Sequence, residues 1–377
     1  MLLALAAEDS RLDLRDELVR LPGAQPDEVQ PGLFEVTLGD AAADLPHLAF
    51  ARQALPYARQ VQAASIKSWA ALLADAVVGV LPDHQPWALH AFPFAASTSS
   101  SRMGARQWHT RARDGSRPAK VEPRPAASVA QPRCDLIIEA THELLGKRRR
   151  HLLRALRPAP KPFGPHEALV QLLLTSPSDG YVSVAQAPLP YAARHLVSSF
   201  PGGEVAPPLD REAPSRAYLK LLEAEARLGA FISARQTCVD LGASPGGWTY
   251  VAAARGARVV AVDRSELRED LMRHRGVRFE RGDAFRYEPE APVDWLICDV
   301  IASAERSADL LLRWLARGWC RRFVVTIKLA DGDAEGVLAK LKRELPQYAP
   351  TCFLLRLCHN KKEITAFGVA TPNDAPT

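Results

Sequence analysis

Two lysines and two carboxylates stand where charge is hard to place for packing alone. Lys328 ends the apolar run VVTIK, Asp299 ends LICDV, Glu363 opens EITAFGV, and Lys220 lies in SRAYLKLLEAEARLGAF. A charge that closes an apolar run is costly unless it reaches a cleft or an opposite charge. A second group surrounds VDLGASPGGWT, Val239 to Thr249, where an acid leads into Asp240-x-Gly242-x-x-x-Gly246-Gly247. Small residues there let the backbone approach a ligand closely. The nicotinamide fingerprint G-x-G-x-x-G is not met, because position 244 is Ser. Asp263, ending VVAVD about 20 residues on, suits ribose hydroxyls. Asp283, in ERGDAF, suits an adenine amino group.

The runs TCVDLGAS, ARVVAVDRS, VDWLICDV, RRFVVTIKL, CFLLRLC and EITAFGV recur between helical segments. Apolar runs in that alternation predict a mainly parallel, Rossmann-like α/β sheet covered on both faces. Ligands then sit at the carboxyl ends of the strands, where the candidate residues fall. Ser215 is a possible N-cap for the helix that carries Lys220. The front of the chain has a different texture. MLLALAAEDS reads as a first strand and not a signal peptide, since it lacks a basic n-region. GLFEVTL and WALHAFPFA read as strands, SIKSWAALLADAVVGVL as a helix, and ALVQLLLTSPSDGYVSVAQA as two strands around a turn at Ser178 to Gly180. A Ser/Arg/Pro-rich stretch near residues 97–132 reads as a loop or linker. We therefore expect an α+β region over 1–204 and an α/β domain over 205–377.

With 47% hydrophobic and 24% charged residues, the chain can bury a sizeable core. No segment approaches a membrane span. The six cysteines form no C-x-x-C pair, which predicts reduced thiols in a cytoplasmic setting and no zinc site. The net charge of +5 is unevenly spread: residues 1–100 carry 6 basic against 12 acidic side chains, and residues 101–200 carry 16 against 7. The excess includes Lys147 to Arg150, Arg154 and Arg157 around one short helix, which suits a polyanion or a solvated face.

The D-x-G-x-x-x-G spacing fits the nucleoside-binding loop of class I methyltransferases. From Ser215 to Val369 the chain resembles the FtsJ-like ribose 2′-O-methyltransferases, and within them the branch acting on large-subunit ribosomal RNA. APSRAYLKLLEA, VDLGASPGGWTY, CDV, LLLRWLARGWCRRFVVTIKL and EIT carry the resemblance, in order. It implies a Lys-Asp-Lys-Glu tetrad of Lys220, Asp299, Lys328 and Glu363. Lys328 is then the proton acceptor for a ribose 2′-hydroxyl, or a cation that only orients the oxygen. It also implies S-adenosyl-L-methionine as methyl donor, held by Ser215, Ser244, Pro245, Gly246, Gly247, Asp263, Asp283 and Asp299, without a metal. The implied partner is 23S rRNA before ribosome assembly, with a cytidine as target and no obligate protein partner. The front half is implied to be a ferredoxin-like and THUMP-like RNA-binding arrangement, matched here only in pieces such as WALHAF and LLGKRRRHLL. Ser244 stands where the family pattern has cysteine. The rival readings are a non-catalytic RNA-binding protein that keeps the fold, and a 2′-O-methyltransferase of another RNA. A base methylase is disfavoured, because no N-P-P-[YF] motif occurs and Cys298 lacks a preceding proline.

Overall fold

The computed structural model describes residues 1–7, 9–37, 47–94, 132–157, 163–164, 166–187, 196–205, 207–329 and 334–371. Three sheets organise them. β1 (Leu2–Ala6), β2 (Gln25–Gln30), β3 (Leu33–Thr37) and β4 (Ala51–Pro56) form an antiparallel sheet in the order β2-β3-β1-β4, with α1 (Arg11–Val19) between β1 and β2. The opening run is thus a central strand, buried along its whole length. Its alternate residues serve two cores: Leu2 and Ala4 pack with Leu14 and Leu18 of α1, while Leu3 and Leu5 face the second sheet.

The second sheet contains β5 (Arg59–Gln62), β6 (Trp87–Pro93), β7 (Ala168–Leu174) and β8 (Asp179–Ala185) in the order β5-β8-β7-β6. α2 (Ile66–Val80) and α3 (Pro132–Arg148) cover it through Trp69, Leu73, Val77, Ile137 and Leu145, and a short α4 (Arg150–Arg154) follows. Ser65 starts α2 as an N-cap, its Oγ accepting from the Ser68 amide at 3.1 Å. The turn expected at Ser178 to Gly180 falls earlier. The Ser176 hydroxyl accepts from the amides of Ser178 and Asp179 at 3.1 and 3.0 Å, so Asp179 and Gly180 already belong to β8. Most of the Ser/Arg/Pro-rich stretch, residues 97–131, lies outside the described residues.

The third sheet holds the candidate site. Its strands are β9 (Thr237–Leu241), β10 (Arg258–Asp263), β11 (Val277–Arg281), β12 (Val293–Cys298), β13 (Cys320–Lys328), β14 (Thr351–Leu355) and β15 (Glu363–Val369). They run in the order β11-β10-β9-β12-β13-β15-β14, with β9 to β13 parallel and β15 antiparallel to both its neighbours. This is a Rossmann-like sheet of the class I methyltransferase type, as the alternating runs and the resemblance led us to expect. Its helices are α5 (Tyr218–Leu228), α6 (Gly247–Ala254), α7 (Glu269–Met272), α8 (Ala304–Ala316) and α9 (Ala334–Tyr348). Successive strand residues point to opposite faces. Trp295 and Ile297 therefore join α5 and α6, whereas Leu296 and Cys298 join Leu311 of α8 and Leu341 of α9. Ser215 does not cap α5: that helix begins at Tyr218, after Ala217, with no side-chain cap bond.

The front sheet is fastened to the third sheet's outer layer. Glu17 of α1 is buried, and its carboxylate accepts from the amides of Ala49 at 2.8 Å and Phe50 at 3.2 Å and from Lys342 of α9. The Arg356 amide beyond β14 donates to the Ala49 carbonyl at 2.7 Å. Removing one acceptor strands several donors in a dry place, which is worse than losing a single bond. Glu17→Ala should therefore lower stability by about 2 kcal/mol in urea denaturation, and Glu17→Gln by less, because one oxygen still accepts. Equal effects from both would show that the carboxylate is not the fastening.

Candidate active site

The strand order reverses between β9 and β12, the place where an open α/β sheet takes a ligand at the carboxyl ends of its strands. Two glycines are required there by the protein itself. Gly242 has φ +75°, and a Cβ on it would lie 2.7 Å from the Val300 Cα; a Cβ on Gly247 would lie 2.4 Å from the Ser215 Oγ. The small residues thus bring the loop after β9 against the backbone following Asp299 and against the turn before α5. The Ser244–Pro245 peptide bond is cis.

Of the expected donor-site residues, Ser244 to Gly247 form this loop, Ser215 and Asp263 touch it, and Asp299 precedes the Val300 backbone packed on Gly242. Asp263 ends β10, and its carboxylate accepts from the Ser244 amide at 3.0 Å and the Ser265 amide at 2.8 Å. The Ser244 hydroxyl donates to the Glu266 carbonyl at 3.0 Å, and the Pro245 carbonyl accepts from the Arg268 amide at 3.0 Å. Asp283 follows β11 and accepts from the Phe285 amide and Arg264, both at 2.9 Å. These contacts hold its carboxyl below the usual carboxylate range, the Phe285 amide most strongly.

Asp240 has another part. It is buried, and it accepts from the Thr249 hydroxyl at 2.6 Å, which ties β9 to α6. Burial pushes its pKa up to about 7, against the opposing pull of Thr249. The acid that marks the motif in the sequence is therefore an anchor beneath the loop.

Lys220, Asp299, Lys328 and Glu363 close into a ring of alternating charge. The antiparallel pairing of β13 with β15 sets Lys328 directly opposite Glu363. Asp299 follows the end of β12, next to β13, and Lys220 reaches in from the first turn of α5. The Lys220 Nζ donates to both Asp299 oxygens at 2.7 Å and to Glu363 Oε1 at 3.0 Å. The Lys328 Nζ donates to Asp299 Oδ1 at 3.0 Å and to Glu363 Oε2. Side-chain exposure is 6% for Lys220, 7% for Glu363 and 16% for Asp299, against 24% for Lys328. Lys328 is the member that an incoming group meets most readily.

Electrostatics set the resting state of this ring. Burial alone would lower the Lys328 pKa, but the Asp299 and Glu363 carboxylates together outweigh it and hold the value above 10.5. Glu363 shows the converse. Burial would raise its carboxyl, yet Lys220 and Lys328 hold it down at about 2. At neutral pH the ligand-free ring therefore contains a charged Lys328. One neighbour escaped the sequence reading: Asn360, also buried, donates to Glu363 Oε1 at 3.1 Å. Only its place three residues ahead of Glu363, in HNKKEIT, pointed to it.

Asp240 gives a testable sign. Its ordinary pKa is 3.8, whereas the folded protein keeps the proton to about 7. Between those values unfolding releases a proton, so wild-type stability falls as pH rises. Asp240→Asn cannot ionise, and its Tm should gain on wild type from pH 4 to about pH 7 in thermal melts and then level off. A Tm difference constant with pH would remove the buried-acid account.

Comparison with known proteins matches residues 213–320 to the FtsJ-like methyltransferase family model. Ribosomal RNA large subunit methyltransferase M of Marinomonas sp. (strain MWYL1) is 41% identical over 138 residues, covering 35% of this chain and 39% of that protein. The protein of the same name from Azoarcus sp. (strain BH72) is 36% identical over 166 residues, covering 41% of this chain and 46% of its own length. The chain thus spans less than half the length of these two relatives. A solved structure of Burkholderia thailandensis 1,6-didemethyltoxoflavin-N1-methyltransferase overlaps with a TM-score of 0.30 at 22% identity, over 42% of this chain and 80% of that one. The glycine loop, Lys220 and Asp299 all lie within the segment, residues 213–320, that matches the FtsJ-like methyltransferase model.

Proposed function

We propose that this chain transfers the methyl group of S-adenosyl-L-methionine to a ribose 2′-hydroxyl of RNA, with a cytidine of 23S rRNA as target. The observation that carries the reading is the charge ring whose most exposed member, Lys328, lies beside the glycine loop through Asp299 and Val300. The residues around that loop fit a nucleoside with a sulfonium group. Asp263 ends one strand and Asp283 and Asp299 follow two others, and Gly246 and Gly247 leave the loop free of bulk. Together with Ser215, Ser244 and Pro245 they would hold S-adenosylmethionine, which when bound supplies an electrophilic sulfonium methyl.

A ribose hydroxyl is a weak nucleophile and gains from a positioned base. In this reading Lys328 takes the 2′-hydroxyl proton as the new C–O bond forms. Asp299 and Glu363 steady the resulting ammonium, and Lys220 orients both carboxylates. The carboxylates make the neutral lysine scarce at rest but stabilise the charge that develops, which is where electrostatic preorganisation acts.

The division of labour is part of the proposal: an RNA-gripping region to about residue 204, with the transferase domain from 205. The first sheet, read backwards as β4-β1-β3-β2 with all neighbours antiparallel, supports a ferredoxin-like reading. For the THUMP-like part, α3 and α4 present exposed Lys147, Arg150 and Arg154, whereas Arg148 and Arg149 are paired with Asp75 and Asp83. We place the reaction in the cytoplasm, on rRNA not yet assembled into ribosomes.

The test uses labelled S-adenosylmethionine, unmodified 23S rRNA and nucleoside mass spectrometry. Wild type should yield 2′-O-methylcytidine, and Lys328→Ala should lower the rate by about 10²–10⁴, the usual worth of a general base. A methylated base, or an unaffected Lys328→Ala, would overturn the assignment. RNA affinity should also fall steeply with salt, losing about 0.7–0.9 log units per tenfold rise for each phosphate contacted. Arg150→Ala with Arg154→Ala should reduce that slope by about two contacts' worth. An unchanged slope would move the RNA contact elsewhere.

A further inference from the structure

We infer that Asn360 is a positioning residue for this reaction, fixing the Glu363 carboxylate so that one oxygen faces Lys220 and the other faces Lys328; the inference rests on the functional reading above. Asn360 is buried in the loop between β14 and β15. Its side-chain carbonyl accepts from the Leu357 amide at 2.7 Å and the Thr365 hydroxyl at 3.2 Å. Two donors on that oxygen settle which end of the amide is which, because only an oxygen can accept both. The NH₂ group therefore faces Glu363, donating to Oε1 at 3.1 Å.

The consequence lies in how Glu363 divides its oxygens. Oε1 takes Lys220 and Asn360, and Oε2 takes Lys328. Lysine ammoniums on flexible stems do not fix the plane of a carboxylate, but an amide held by its own two bonds does. The loop is itself braced: Glu223 of α5, wholly buried and paired with Arg227, accepts from the Cys358 amide at 2.9 Å. Arg227 in turn donates to the Gly203 carbonyl at 2.7 Å. Asn360 is thus set by backbone and by a buried ion pair, and transmits that setting to the ring. The charged groups facing Glu363 are Lys220 from α5 and Lys328 from β13, with Asp299 beyond β12 shared between them.

The experiment compares Asn360→Ala and Asn360→Asp with wild type in the full chain. Donor affinity by calorimetry with S-adenosylhomocysteine should stay within about twofold, because Asn360 is not among the donor-site residues. Single-turnover methyl transfer at saturating RNA should fall at least tenfold in Asn360→Ala. In Asn360→Asp the rise of rate with pH should move to higher pH, since a third carboxylate holds the Lys328 proton more tightly. Methyl-transfer rates within twofold of wild type in both variants would overturn the inference, as would equal losses of rate and donor affinity. If wild type itself makes no 2′-O-methylated ribose, the functional reading has failed instead. The positioning claim is then judged by carbon NMR of the Glu363 carboxyl, whose pKa must rise in Asn360→Ala.

Discussion

Everything at the carboxyl edge of the third sheet depends on the Lys328–Glu363 pair across β13 and β15. Two opposite charges at one register position of adjacent strands, with Asp299 and Lys220 completing the ring, let four ionised groups sit largely out of water. Removing one partner of such a pair costs about 3–5 kcal/mol, because the charge left behind is desolvated and alone. Alternation is what makes the arrangement tolerable: each ammonium touches two carboxylates, and each carboxylate touches two ammoniums. The same alternation gives the ring its chemical bias, with Lys328 charged at rest and the least covered of the four.

The surrounding fold keeps those four groups in place. The antiparallel β15 brings Glu363 back to the end where the parallel strands β12 and β13 finish. α5 packs against that end because α6 follows the glycine loop so closely; Trp248 of α6 donates to the Ala217 carbonyl at 2.7 Å. Gly242 and Gly247 permit this approach, so one short loop serves both the packing of α5 and the crevice beside Asp299. Below it, Asp240 and Thr249 join β9 to α6 with a buried bond that needs no charge. The front half joins the assembly through Glu17 and Lys342 of α9, through Ala49 and Arg356 just past β14, and through Gly203 and Arg227 of α5.

Much of this was legible in the sequence, for physical reasons. Charges at the ends of apolar runs are rare without a partner, so Asp299, Lys328 and Glu363, with Lys220, were singled out by their places in the sequence, and the resemblance joined them as a tetrad. The parallel sheet followed from Val-rich runs alternating with helices. What stayed hidden was decided by contacts distant in the chain or by local hydroxyl chemistry. Ser215 has the residue type of a cap, yet it is spent against Gly247 while the helix starts later. The turn near Ser178 moved because Ser176, not Gly180, organises it. Asp240 read only as an acid at a strand end, since nothing in the sequence reveals that Thr249 closes over it. Asn360 carries no motif at all; its importance comes from Leu357, Thr365 and Glu363 converging on one amide.

The central claim is that a carboxylate-held Lys328 gives up its proton before it serves the reaction. The most direct measurement is the single-turnover methyl-transfer rate as a function of pH, in wild type and in Glu363→Gln. Lys328 lies above its ordinary value of 10.5, so the wild-type rate should climb about tenfold per pH unit from 7 to 9 without levelling. With one of its carboxylates neutralised, the variant's rise should begin at lower pH. A wild-type rate that levels below pH 8, or one independent of pH, would contradict the account and leave Lys328 as a cation that only orients the oxygen.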